Sequence, residues 1–192
     1  MLQKIKDPAS ALTHFAGCAM AALAAVPLLV KAAREPDRLY FIAMAVFALS
    51  MVLLYAASTT YHTVDSTDKV NRRLRKLDHM MIFVLIAGSY TPICLITLRG
   101  PQGAALCAAV WVVALAGIAI KALWITCPKW FSSVLYIAMG WLCVFAVVPI
   151  VRALSPAGFG WLLAGGIIYT AGGVIYALKL PLFNANISAP MR

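Results

Sequence analysis

The chain has 192 residues, of which 64% are hydrophobic and only 11% charged, and its mean hydropathy is +0.92. A water-soluble domain of this length is far more polar, so a soluble enzyme or binding module is excluded and the chain is read as an integral membrane protein. A formal net charge of +10 would otherwise suggest nucleic acid as a partner, but the placement of the cations gives it another meaning.

Six windows free of charged residues follow one another, at 8–30, 39–64, 79–98, 100–120, 130–151 and 153–178. Each holds about twenty residues, the length of α-helix that crosses ~30 Å of hydrocarbon. Several stretches are apolar on every face, such as 19–30 and 43–55, which excludes the alternating strands of a β-barrel. The expected fold is therefore an all-α membrane protein, one integral domain over 1–192. Its helical bundle has six spans, near 10–30, 40–62, 79–98, 103–121, 131–151 and 159–179.

Lys4 and Lys6 precede the first span, but no small-residue cleavage site follows it, so this helix is expected to be retained. The second window closes on Ser58-Thr59-Thr60-Tyr61-His62. A basic segment, Lys69 to Lys76, separates it from Leu77-Asp78-His79, which opens the third. Pro27, Pro92 and Pro149 predict local kinks. Trp124 and Trp130 flank the fourth loop as interfacial anchors, with Trp111, Trp141 and Trp161 partly of that kind. Gly165, Gly166, Gly172 and Gly173 in the last span are expected to let helices approach closely. The five cysteines, Cys18, Cys94, Cys107, Cys127 and Cys143, form no Cys-x-x-Cys pair and read as small buried hydrophobes.

Of the 16 Lys and Arg residues, 11 fall in the N-terminal segment, the second and fourth loops and the tail, and five fall on the opposite side. The positive-inside rule then places the N-terminus in the cytoplasm. The basic segment 69–76 reads as a topology determinant against anionic lipid, so membrane lipids are the expected partners and nucleic acid is not.

Ionisable groups at the edge of an apolar span mark a candidate site. Ser58 and His62 are spaced i and i+4, so both lie on one face of the second helix. Asp78 and His79 are adjacent, about 100° apart around a helix, so one of them faces a shared site. Asp78 can alternatively cap the third helix, and His14 and His79 taken singly read as hydrogen-bonded packing residues. With the N-terminus inside, all three histidines fall near the cytoplasmic face.

Ser58-x-x-x-His62 followed by Asp78 resembles the signature of the hemolysin III family, the bacterial branch of the progestin and adipoQ receptor family. Thr13-His14-x-x-Gly17 resembles that family's entry to helix one, and Gly88-Ser89-Tyr90-Thr91-Pro92 its motif in helix three. The resemblance continues in spacing to Tyr176-Ala177-Leu178-Lys179. It implies a seven-helix protein of the bacterial inner membrane, related to alkaline ceramidases and carrying zinc near the cytoplasmic face. His62 would be a zinc ligand, Asp78 would hold a zinc-bound water, and Ser58 would support the site. It also implies a hemolysin label, with cytolysis (toxin activity) or membrane homeostasis as the role.

The family pattern takes two more ligands from a His-x-x-x-His on a seventh helix. After Lys179 this sequence has thirteen residues, none of them histidine, and no spanning run. The expectation is half a zinc site in a truncated or frameshifted member, less stable as a monomer or associated with further copies as a homo-oligomer. Two functions of different class follow. One is a hemolysin III-like membrane component without a complete zinc site. The other is a zinc-dependent intramembrane hydrolase of lipid amides whose missing ligands belong to an absent helix.

Overall fold

The computed structural model describes residues 5–124, 126 and 128–178. Among them the chain is helical, without strands. The helices are α1 (Pro8–Ala32), α2 (Arg38–Thr63), α3 (Asp68–Pro92), α4 (Pro101–Leu123), α5 (Lys129–Gly140), α6 (Val147–Ala153) and α7 (Pro156–Leu178). A π turn (Ile93–Thr97) continues α3, and a 3₁₀ segment (Trp141–Ala146) joins α5 to α6. Six continuous helical stretches are long and apolar enough to cross a membrane, the fifth being Trp130–Ala153.

The windows between charges match these stretches, because in hydrocarbon a helix is how an open chain satisfies its own backbone. The third element differs at its start. The segment Lys69–Lys76 is not a loop but belongs to the first turns of α3, whose N-terminus is capped by Thr67 accepting from Val70 N at 3.4 Å. Asn71 ties down the short connection before it, bonding Asp65 and the Ser66 backbone. Asp78 is thus ten residues inside the helix, and the capping role considered for it is excluded.

Helices α1 to α4 pack in chain order, each on the next, while α5 packs on α7 and reaches α3 and α4. The core gathers around α3: Phe83, Ile86, Ala87 and Tyr90 meet Val110 and Ala114 of α4 and Tyr136 and Met139 of α5. Small residues allow this closeness, as expected where lipid removes the hydrophobic drive between helices. Gly117 lies against the Phe83 ring and Gly88 against Ser50. Pro92 lacks an N–H for the helix ladder, and α3 ends there in the π turn. Pro27 is accommodated within α1 and Pro149 within α6.

The glycines of α7 depart from expectation. Gly173 meets the Ile137 side chain, but Gly165, Gly166 and Gly172 face open space. The reason is position: α7 stands at the edge of the bundle and has no buried residue.

Candidate functional site

His62 lies in the last turn of α2, one turn after Ser58, which is buried. Across from it, the chain entering α1 runs beside the end of α2: Asp7 N donates to His62 O at 2.9 Å. The Asp7 carboxylate lies 3.0 Å from His62 Nδ1. The ring of His14, two turns into α1, stacks on that of His62, with centroids 5.3 Å apart and planes 16° from parallel. Tyr61 meets the same imidazole edge-on at 4.8 Å. His14 Nδ1 is buried without a hydrogen-bond partner among the described residues.

Asp78 of α3 is buried. Its neighbour His79 reaches the Asp78 carboxylate and further partners. His79 Nδ1 lies 2.8 Å from Arg75 O and 3.6 Å from Asp78 Oδ2, and its Nε2 lies 3.3 Å from the Tyr176 hydroxyl of α7. His79 thus contacts the Asp78 carboxylate and also reaches α7, and among the described residues Asp78 makes no hydrogen bond or ion pair to Ser58, His62 or His14. His14, read singly as a packing residue, belongs to the His62 cluster. His79 keeps the hydrogen-bonded role.

One buried charge escaped the sequence. Lys121 was counted with the cations of the fourth loop, yet it is 2% exposed, inside the bundle. It donates to Ser132 Oγ at 2.5 Å, and Lys76 donates to Ala122 O beside it. Its spacing carried the signal, since Val110, Ala114, Gly117 and Lys121 recur along one buried face of α4. Near the same end, the Tyr136 hydroxyl donates to His79 O at 3.0 Å. A lysine held in this way pairs its charge with polar groups rather than water, as intramembrane cations must.

A catalytic zinc takes three protein ligands and keeps a fourth position open. Among the described residues no group of three His, Cys, Asp or Glu side chains is placed to hold a metal ion. The Asp7 carboxylate and the His14 ring are the groups beside His62, and together they do not make a metal-binding set. The residues described do not make up the zinc site that the resemblance implies. The cysteines add nothing to it. Cys18, Cys94, Cys107 and Cys143 are free thiols in helices, and Cys127 lies outside the described residues.

Fold and site together define a multi-pass membrane helix bundle with polar groups gathered at one end of its first three helices. The sequence pattern of the family described as Haemolysin-III related matches residues 2–186, and the chain belongs to that family. It is 39% identical over 187 residues to a protein named Hemolysin-3 from Bacillus cereus, covering 96% of this chain and 85% of the relative. A Hemolysin-3 homolog of Bacillus subtilis (strain 168) is 38% identical over 181 residues, 94% of this chain and 84% of that one. No solved structure matches the chain significantly.

Proposed function

We propose that the protein acts on the bilayer in which it is embedded, as a hemolysin III-like component of cytolysis or membrane homeostasis. Its place is the bacterial inner membrane, with the N-terminus in the cytoplasm and lipid as its partner. The observation that carries this is the similarity to a protein named Hemolysin-3 along 96% of the chain. Purified protein added to erythrocytes, and reconstituted in dye-loaded vesicles, is expected to release haemoglobin and dye above a detergent-only control. Deletion of the gene is expected to alter membrane composition or permeability. Silence in all of these assays would sink the reading. Activity that survives both chelation and His62→Ala supports a role without zinc, and its loss favours the second reading.

That second reading is a zinc-dependent hydrolase of lipid amides. What favours it is the gathering of Ser58, His62 and Asp78 at one end of α2 and α3, the first and last of them buried. It needs ligands beyond those the described residues supply. Stoichiometric zinc in the purified chain, together with fatty-acid release from a lipid amide, would support it. Zinc-free protein with no such release would remove it. Self-association that covers the exposed side of α7 is expected with either reading, and mass measurement in detergent checks it.

A further inference from the structure

Asp7 precedes Pro8 at the head of α1, an arrangement in which a carboxylate ordinarily caps its own helix. Here it does not: the Asp7 side chain makes no cap bond, and its Oδ2 reaches 3.0 Å to Nδ1 of His62, 55 residues away. The backbone on either side holds this reach in place. Asp7 N donates to His62 O at 2.9 Å and Lys6 N to Thr63 O at 3.5 Å. The Lys6 ammonium lies over the Tyr61 ring, 3.9 Å from its centroid.

An ionised carboxylate only accepts hydrogen bonds, so His62 Nδ1 carries the hydrogen and donates it. In the neutral imidazole the lone pair is then on Nε2. His14 covers one face of the ring and Tyr61 meets it edge-on, so the ring is held from three directions. Nε2 has no hydrogen-bond partner among the described residues. A half-turn of the ring would exchange Nδ1 for a carbon and forfeit the Asp7 bond.

We propose that Asp7 is a positioning residue for His62: it selects the Nδ1–H tautomer and fixes the ring orientation, leaving the Nε2 lone pair available. The proposal rests on the reading that His62 belongs to a functional site, but it does not depend on which group the site takes. A purely stabilising role fits less well. The Asp7 side chain is 52% exposed, and a pair so open to water contributes little to stability. Outer carboxylates of this kind serve instead to fix the tautomer and aim of a histidine.

The test is ¹⁵N-histidine NMR of the full chain in lipid nanodiscs, above the pH at which the rings are neutral, with signals assigned through His14→Gln and His79→Gln variants. His62 in the unmodified protein is expected to be mainly the Nδ1–H tautomer. Asp7→Ala should move the majority to Nε2–H while leaving the circular dichroism spectrum unchanged, and Asp7→Glu should restore the original tautomer. A wild-type His62 protonated on Nε2, or a tautomer ratio unmoved by Asp7→Ala, overturns the proposal. Should Asp7→Ala fail to fold, Asp7→Leu, which likewise offers no acceptor, is measured in its place, with loss of the Nδ1–H majority expected and an unchanged majority overturning it. Zinc chloride alone is titrated into the same samples. Failure of the unmodified chain to bind zinc removes the hydrolase reading, whereas the tautomer result alone decides the role of Asp7.

Discussion

Gly88 is where α3 presses on α2: a Cβ built there would collide with the Ser50 side chain and come within 3.4 Å of Val46 O. Gly166 on α7 has nothing within 4 Å of such an atom. The two positions should therefore answer oppositely to the same substitution. Gly88→Ala is expected to destabilise by about 1–3 kcal/mol through overpacking. Gly166→Ala should be neutral or slightly stabilising, because alanine restricts the chain less unfavourably in a helix. Thermal unfolding of both variants in one detergent checks the contrast, and equal losses would refute it. At this scale the sequence revealed local geometry and little else. The i, i+4 spacing put Ser58 and His62 on one face, a property of a single helix. The meeting of Asp7, His14 and His62 depends on how α1 lies against α2, and nothing within either segment encodes that contact. Asp7 misleads further, because Asp-Pro is chemically a good helix start and gives no hint that its carboxylate is committed elsewhere.

Among the elements, the fifth membrane crossing is the least regular, and one side chain holds its break. The Tyr90 hydroxyl donates to Gly140 O at 2.5 Å and accepts from Cys143 N at 2.9 Å. Those are backbone groups at the junction of α5 with the 3₁₀ segment, where the helix ladder changes register. Tyr90→Phe would strip partners from both in an apolar setting. The expected cost is about 1–3 kcal/mol, that of leaving a buried polar group unsatisfied, with faster hydrogen exchange at the Cys143 amide. Unchanged exchange there would show that the ladder holds without the hydroxyl. Apolar windows could not disclose this break, since hydropathy reports what lipid tolerates and not which hydrogen-bonding pattern a segment adopts. The start of α3 escaped for the complementary reason. Residues 68–76 are mostly polar and basic, with only Val70 and Leu74 apolar, too little to mark them as part of a hydrophobic span. The Thr67 cap and the neighbouring Asn71 network start the helix well before the hydrophobic span begins.

For the whole molecule, six crossings alternate the connections between two sides. The links after α1 and after α6 then share a side, while the link between α2 and α3 lies opposite. In the orientation proposed from the cation asymmetry, the latter is the cytoplasmic one. Single cysteines replacing Glu35 and Ser155 should react with a membrane-impermeant thiol reagent on intact cells, and one replacing Asp65 only in inverted vesicles. Reaction of all three on the same side would refute a six-span arrangement. Span number was legible because charge is so costly in hydrocarbon that its absence delimits each crossing. Lateral order was not: the buried face that carries Phe83, Ala87 and Cys94 is no more apolar than the faces the helices turn to lipid.

Helix α7 carries a mechanical consequence of its place at the rim. Its attachments among the described residues include Tyr176 to His79, Thr170 to the Trp141 indole at 3.0 Å, Gly173 against Ile137 and the Tyr169 ring against Gly140. None of its residues is fully buried, and the best covered, such as Tyr169, are only half-buried. Drawn from its C-terminal end by a force probe, the molecule should surrender α7 as the first and weakest step. The hairpins of α1 to α4, locked by ring contacts and close glycine packing, would follow at higher force. Because Tyr176 is a partner of His79 Nε2, that first step would also free a nitrogen on the residue next to Asp78, so tension on the rim would reach the polar end of the bundle.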